Sequence, residues 1–368
     1  MSTHVTAGED LDLAYVELYV ADLDAERDVF VELYDFEVVG TAGSSAQGFW
    51  SVALTQGSSM LVLTQGLADE HPASSYVLSH DDGVAGIAMR TADVPSVFAA
   101  AVAAGATPVA EPRAGADGLF TATIRMLGDI THTLVQTSPT GPGGPPPGFT
   151  PAPTPAAQGQ AQARTPRRPE DALHLDVVDH FAVCVPAGTL DRTISLYESA
   201  LGFRQTFEER ITVGAQAMES KVVQSASGTV TFTILEPDPE LEAGQIDEFL
   251  KNHGGAGIQH VAFATDDIAR TVASMQRRGV EFLSTPGAYY DLLPDRILPG
   301  THGVDELRKL NILVDEDQGG ELFQIFTRSS HPRRTLFYEV IERAGARLFG
   351  SNNIKALYEA VELGRSGN

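Results

Sequence analysis

Apolar and polar positions follow the same order four times along the chain. In each unit, one apolar run predicts a strand, a stretch of 3.6-residue spacing predicts a helix, and three further apolar runs predict strands. The units begin at residues 13–20, 82–94, 177–185 and 258–264. A repeat of this kind changes the fold prediction more than any single element does. The pattern predicts an α+β fold built of tandem βαβββ repeats.

A stretch dense in Pro, Gly, Ala and Gln separates the second unit from the third. It covers residues 138–170, with PGGPPPG near its start and TPRRPE near its end. Because such a composition cannot bury a core, we predict a flexible, partly polyproline spacer. The predicted organisation is a first domain of residues 1–137, this linker, and a second domain of residues 171–368.

His260 lies in the middle of the strand that opens the fourth unit. A histidine on an apolar strand is either a hydrogen-bonded core residue or a ligand. When the two halves are aligned, Tyr15 falls at the position of His180, and Gly86 falls at the position of His260. Equivalent strand positions therefore carry histidine in the second half and non-ligands in the first. This pairing favours metal ligands over core histidines.

A third candidate ligand lies on a later strand of the fourth unit. Glu339 shares one face of that strand with Phe337 and Ile341, because side chains alternate with a period of two. A carboxylate between apolar neighbours is costly unless it is paired or bound to metal; the alternative is an edge glutamate facing solvent. Two histidines and one carboxylate form the facial triad that suits non-haem Fe(II) and O₂. After the helix of this unit we predict strands at residues 280–283, 310–314, 321–327 and 335–342, and a closing helix at 353–363.

Composition excludes several other classes of protein and site. The net charge is −24, whereas nucleic acids and anionic membranes are bound by clustered Lys and Arg, so neither is a predicted partner. Cys184 is the only cysteine, which excludes an intrachain disulfide and a multi-cysteine metal site. No apolar run is long enough to span a bilayer, and MSTHVTAGEDLDL has no secretory-signal pattern. We predict a cytoplasmic protein, and a homodimer is one option that the sequence leaves open.

Six segments of the second half carry a family resemblance. They are DHFAVCV, GAGIQHVAF, TPGAYYDLL, LFQIFT, TLFYEVIER and FGSNNIKALYEAVE. In this order they resemble the 4-hydroxyphenylpyruvate dioxygenase family of the vicinal oxygen chelate superfamily, and the first half resembles the degenerate domain of that family. The resemblance implies a non-haem iron dioxygenase in which each domain is an open, curved sheet barrel with outer helices. It also implies iron ligands at His180, His260 and Glu339, in agreement with the strand analysis.

The resemblance further implies a substrate pocket around the iron. It implies catalytic roles for Ser220, Thr233, Gln259, Gln324 and Ile354, and substrate contacts for Leu235, Gln245, Phe326, Phe349 and Asn353. The amides in this set suit the carboxylate, keto and phenol groups of 4-hydroxyphenylpyruvate. Without the resemblance, the glutamines would be interpreted as ordinary surface or buried amides and Phe326 as a core residue.

The implied reaction combines 4-hydroxyphenylpyruvate with O₂ at Fe(II). The substrate is itself an α-keto acid that can chelate the metal, so no external 2-oxoglutarate is needed. Oxygen transfer to the ring with side-chain migration gives homogentisate, and oxygen transfer to the benzylic carbon gives 4-hydroxymandelate. Because reactivity depends steeply on geometry, small changes in substrate position can decide between the two products.

Departures from the homogentisate-forming pattern favour the benzylic product. FGSNNI ends with Ile354 where that group has Phe, and TILEP has Thr233 and Leu235 in place of Pro and Asn. A glycine-rich insertion is also missing between Arg343 and Phe349. We predict 4-hydroxymandelate and CO₂ as products, in a pathway that supplies 4-hydroxyphenylglycine for a peptide antibiotic. The alternatives are neutral drift within the homogentisate-forming enzymes, and a non-catalytic small-molecule-binding protein of the same fold.

Overall fold

The computed structural model describes residues 11–115, 118–137, 144–152, 172–317, 319–350, 352–353 and 355. Nine strands of the first half form one sheet, in the order β6-β7-β8-β5-β1-β4-β3-β2-β9. The strands are β1 Asp12–Tyr19, β2 Glu37–Ser44, β3 Phe49–Gln56, β4 Ser59–Gly66, β5 Gly83–Thr91, β6 Thr107–Ala114, β7 Phe120–Leu127, β8 Ile130–Gln136 and β9 Thr150–Pro151. The accompanying helices are α1 Leu23–Glu32, α2 Pro72–His80 and α3 Val94–Ala103.

Eight strands of the second half form another sheet, in the order β11-β12-β13-β10-β14-β17-β16-β15. The strands are β10 Val177–Cys184, β11 Arg204–Val213, β12 Gln216–Gln224, β13 Thr231–Pro237, β14 Gly257–Ala264, β15 Leu313–Asp317, β16 Gly320–Phe326 and β17 Phe337–Ala344. The accompanying helices are α4 Leu190–Leu201, α5 Gln245–His253, α6 Ile268–Arg278, α7 Gly287–Leu292 and α8 Val304–Leu310.

The two sheets share one connectivity at their centres. In the second sheet β10 is antiparallel to β14 and parallel to β13, and β14 is parallel to β17. In the first sheet β1 is antiparallel to β5 and parallel to β4, and β5 is parallel to β8. The second sheet curls into a half-barrel. Among the described strands, β6 does not pair with β9 and β11 does not pair with β15, so both sheets are open. The predicted α+β fold of tandem βαβββ repeats is confirmed.

One apolar core joins the two halves. Phe181 and Val183 of β10 face this core, whereas Ala182 and Cys184 face the opposite, concave side of the sheet. Across the junction, the ring of Phe30 lies 5.6 Å from the ring of Tyr338. Alternation along each strand therefore directs one face into the shared core and leaves the other face for a site. Within the described residues, no helix is long and apolar enough to cross a membrane.

Several elements differ from the prediction. Residues 280–283 were expected to form a strand, which is wrong: Phe282 makes only an isolated bridge to Thr327. The short helices α2, α5, α7 and α8 were not predicted, and Thr150–Pro151 pairs with β2 although its composition indicated only a spacer. The domain boundaries at residues 137 and 171 stay predictions. The closing helix predicted at 353–363 lies mostly outside the described residues.

Helices α2 and α5 extend the repeat, because each precedes the strand that opens the second unit of its half. They contact each other across the junction through stacked rings of His80 and His253, whose centroids lie 4.4 Å apart. His80 Nδ1 also lies 2.6 Å from the backbone oxygen of His253. The first half therefore supports a helix that belongs to the second.

Glu17 occupies the concave face of the first sheet at the position that Ala182 holds in the second. Glu17 pairs with Gly86, as Ala182 pairs with His260. Thr64 Oγ1 donates a hydrogen bond of 3.0 Å to Glu17 Oε1. Burial raises the pKa of Glu17 to about 7, and this hydrogen bond offsets only part of that effect. The first sheet therefore carries a half-buried carboxyl group in this position, paired with a glycine where the second sheet has His260.

Replacing Glu17 should stabilise the protein above neutral pH. Since the pKa is raised on folding, the folded state holds a proton that the unfolded state releases, and stability falls as pH rises through about 7. Glu17→Gln removes this loss, so we expect its free energy of unfolding to exceed that of the wild type by up to ~3 kcal/mol at about pH 8 and to match it near pH 4. Denaturant unfolding at both pH values measures the difference.

An exposed control is available on β2. Glu37→Gln should change stability by less than ~0.5 kcal/mol at either pH. A stability difference for Glu17→Gln that stays constant across this pH range would contradict the raised pKa.

Candidate metal centre

The three predicted ligands lie on three adjacent central strands. His180 of β10 pairs with Ala262 of β14, and Ala262 pairs with Glu339 of β17. His260 lies two residues before Ala262, so the two side chains lie on the same face of the sheet. The order β10-β14-β17 thus places residues far apart in sequence side by side on the concave face of the second sheet.

The ligand atoms of these residues converge. Glu339 Oε2 lies 3.3 Å from His180 Nε2 and 3.2 Å from His260 Nε2. One ligand atom from each residue lies within 4.8 Å of the others, and among the described residues this is the only such group found. All three side chains are buried, Glu339 with 1% of its surface exposed. The geometry fits a single divalent cation between two imidazoles and one carboxylate.

The electrostatics of the three residues support this fit. Burial lowers the pKa of His180, but the charges of Glu339 and Asp179 outweigh it and raise that pKa to about 9. Burial alone would raise the pKa of Glu339, yet His180 and His260 hold it at about 2. Burial lowers the pKa of His260; among the described residues its Nδ1 has no hydrogen-bond partner, and its Nε2 lies 3.2 Å from Glu339 Oε2. A metal ion between His260 Nε2 and Glu339 Oε2 would satisfy both atoms.

A chain of amides fixes the other oxygen of Glu339. Gln324 Nε2 donates to Glu339 Oε1 at 2.7 Å, and Asn353 Nδ2 donates to Gln324 Oε1 at 2.9 Å. The hydroxyl of Tyr289 lies within hydrogen-bond distance of Asn353 Oδ1, at 3.2 Å, and of the backbone oxygen of Val314, at 2.8 Å. These bonds orient Gln324 and leave Glu339 Oε2 directed at the histidines. Tyr289 was missed by the sequence analysis, although TPGAYYDLL was one of the quoted segments.

A cavity of ≈ 530 Å³, measured with its open mouth, adjoins the ligands. Besides the ligands, it is lined by Ala182, Thr233, Leu235, Gln245, Gln259, Gln324, Phe326, Phe337 and Phe349. The structure thus brings seven of the predicted pocket residues to the ligands and adds Phe337, whose ring lies 4.9 Å from the ring of His260. Thr233 Oγ1 and Gln245 Nε2 are buried and have no partner in the described part of the chain, so both can bond to a ligand.

Two other predicted residues do not line this cavity, and a third lies outside the described residues. Ser220 is buried on β12 opposite Leu235, one strand away from the lining. Asn353 is fully buried and reaches the site only through Gln324. Ile354 lies outside the described residues.

Comparison with known proteins agrees with the fold. Residues 177–293 and 15–123 each match a family of the Glyoxalase/Bleomycin resistance protein/Dioxygenase superfamily. One matched segment lies in each half of the repeat. The protein is a member of this superfamily with both of its repeated halves present.

Two curated relatives and one solved structure identify the family within this superfamily. The 4-hydroxyphenylpyruvate dioxygenase of Neurospora crassa is 37% identical over 78% of this chain and 70% of its own. The enzyme of the same name from Caenorhabditis elegans is 34% identical over 81% of this chain and 76% of its own. A solved structure of a triple mutant of 4-hydroxymandelate synthase from Streptomyces coelicolor is 44% identical, with a TM-score of 0.84 over 97% of this chain and 99% of that one. The chain belongs to the 4-hydroxyphenylpyruvate dioxygenase family and is a non-haem iron dioxygenase.

Removing the carboxylate ligand should abolish tight metal binding. Glu339→Gln keeps the size of the side chain and removes the negative charge between the two histidines, so we expect an affinity for Fe(II) at least ~100-fold below that of the wild type. Anaerobic titration of the metal-free protein with Fe(II) measures the dissociation constant.

Glu342→Gln on the same strand is the matched control. Glu342 is buried and accepts a hydrogen bond from the backbone of Ile268 instead of facing the ligands. This variant should bind Fe(II) as the wild type does. Equal affinities for Glu339→Gln and the wild type would remove Glu339 from the proposed ligand set.

Proposed function

We propose that this protein uses Fe(II), held by His180, His260 and Glu339, to convert 4-hydroxyphenylpyruvate and O₂ into 4-hydroxymandelate and CO₂. The observation that carries the proposal is the buried group of two histidines and one carboxylate, which opens onto a cavity lined with aromatic and amide side chains. The likeness to a 4-hydroxymandelate synthase over nearly the full length of both chains supports it. Iron at this site would supply the electrons for O₂ and the Lewis acidity that holds an α-keto acid.

The cavity can orient an aromatic keto acid. Thr233 Oγ1 and Gln245 Nε2 offer hydrogen bonds to the carboxylate, keto or phenol oxygens of the substrate, because neither has a partner among the residues that the structure describes. The rings of Phe326, Phe337 and Phe349 line the remaining wall and can pack against the substrate ring. These rings also keep water away from the ligands, which strengthens polar contacts inside the cavity.

Thr233 and Leu235 support the benzylic product. Both line the cavity on β13, and Leu235 is buried there with an apolar side chain. An amide at position 235 could hold the substrate through a hydrogen bond, whereas leucine leaves this wall without a polar anchor. We propose that the substrate ring consequently lies further from the metal and its benzylic carbon lies closer. Ile354, for which we propose the same effect, is outside the described residues.

The pathway, the cellular setting and the oligomeric state are further parts of this proposal. The pathway that we propose supplies 4-hydroxyphenylglycine for a peptide antibiotic, in accord with the chemistry of 4-hydroxymandelate. The cytoplasmic setting and the homodimer stay predictions.

Product analysis tests the proposed reaction. The protein is supplied with Fe(II), ascorbate, O₂ and 4-hydroxyphenylpyruvate, and the aromatic acids are separated by chromatography. We expect 4-hydroxymandelate in a one-to-one ratio with O₂ consumed. Homogentisate would keep the iron site and overturn the product, and neither acid from an iron-loaded protein would overturn the substrate.

Two substitutions test the assignment of product to the cavity wall. Leu235→Asn and Ile354→Phe should each raise the fraction of homogentisate, because the first adds a polar anchor and the second adds bulk. Leu241→Asn, the same replacement at an exposed leucine, should leave the product ratio unchanged. An unchanged ratio in both test variants would contradict the positional argument.

A further inference from the structure

Arg343 makes a two-pronged ion pair next to the candidate ligands. Its Nε donates to Asp179 Oδ2 at 2.7 Å, and its Nη2 donates to Asp179 Oδ1 at 2.8 Å. The pair is largely shielded from solvent, with side-chain exposures of 22% for Arg343 and 13% for Asp179. Arg343 lies on β17 four residues after Glu339, and Asp179 directly precedes His180 on β10. The pair thus ties together the two strands on either side of β14.

Asp179 also contacts His180 and so links the ion pair to this candidate ligand. Asp179 Oδ1 lies 2.8 Å from His180 Nδ1, and since a carboxylate only accepts, Nδ1 donates this bond. The ladder between β10 and β14 shifts register between Val178 and His180, so Asp179 is the extra residue of a bulge. Such a bulge re-aims side chains locally. With Nδ1 held by Asp179, the lone pair of Nε2 is left for the metal.

The remaining nitrogen of Arg343 holds a different part of the site. Arg343 Nη1 donates to the backbone oxygen of Leu348 at 2.6 Å, and the guanidinium carbon lies 5.1 Å from the centre of the Phe349 ring. That ring in turn contacts the ring of His180 edge-on, with centroids 5.1 Å apart. Phe349 lines the cavity beside the ligands and also a second cavity, to which Asp179 and Arg343 contribute. Arg343 therefore contacts the wall between the two cavities.

We propose that Arg343 is a positioning residue that couples the orientation of the ligand His180, through Asp179, to the placement of Phe349 at the substrate. The inference rests on the proposed iron site and adds a residue that touches neither metal nor substrate. It accounts for why one guanidinium bonds to Asp179 and Leu348 at once. A lysine carries the same charge on a single nitrogen and cannot make the parallel pair of bonds together with a third.

Co(II) binding tests whether Arg343 orients His180 through Asp179. Co(II) is titrated into the metal-free wild type, Asp179→Asn, Arg343→Lys and the double variant, and visible absorption reports both affinity and ligand geometry. We expect each single variant to bind Co(II) about 10- to 100-fold more weakly and with an altered spectrum. Because both residues act through one bond to His180, their losses should not add in the double variant.

Steady-state kinetics of the Fe(II) enzyme test whether Arg343 places Phe349 at the substrate. Arg343→Lys frees Leu348 and Phe349, so its KM for 4-hydroxyphenylpyruvate should rise at least ~3-fold. Asp179→Asn should raise KM less than Arg343→Lys does, since it leaves the bond from Arg343 to Leu348 in place. Arg210→Lys is the matched control, because Arg210 forms an exposed ion pair with Glu219 far from the ligands. It should match the wild type in both assays.

The outcomes separate this inference from the proposed function. If the wild type binds no Co(II) and consumes no substrate, the proposed function fails. If the wild type does both while Arg343→Lys keeps its affinity, spectrum and KM, the positioning role is overturned. A lower unfolding temperature of metal-free Arg343→Lys with an unchanged Co(II) spectrum would also overturn it, since the ion pair would then serve the fold alone.

Discussion

A charged carboxylate in the interior of the second sheet is the constraint on which the site depends. Glu339 is almost entirely buried, and a carboxylate in such a place is costly unless partners surround it. The fold provides them from three directions: His180 and His260 on neighbouring strands, and the amide of Gln324 on β16. Each partner must sit in one register for its atoms to meet the carboxylate. The order of the central strands is therefore a requirement of the site as well as of the fold.

The first half shows what the same topology does without that requirement. Tyr15 and Gly86 stand at the strand positions that carry His180 and His260 in the second half. Glu17 retains a carboxyl group on the same face, yet burial favours its neutral form because no cation is beside it. Two sheets of one connectivity thus differ in whether their concave faces hold a charge. The difference comes from a few side chains and leaves the backbone pattern intact.

Much of the fold could be predicted from sequence because its central strands are continuous apolar runs. The repeat placed His180 and His260 on equivalent strands, and the period of two placed Glu339 between Phe337 and Ile341. The short helices were not predicted, because a helix of nine residues or fewer gives only about two turns of hydrophobic pattern. Residues 280–283 were predicted as a strand because they are apolar, but an apolar run forms a strand only where a neighbouring strand pairs with it. The hydroxyl of Tyr289 and the ion pair of Asp179 with Arg343 depend on tertiary contacts. No spacing in the sequence reveals them.

The stacked rings of His80 and His253 have a consequence for how this protein can change over time. The stacked rings hold α2 of the first half against α5 of the second half. Helix α5 begins with Gln245, which lines the cavity. Gly257 tightens this arrangement, because an added Cβ there would lie 2.4 Å from the ring of His253. A substitution on α2 of the first half can therefore reach a wall of the cavity in the second half. Selection on the site would then also act on residues of the first half that lie away from it.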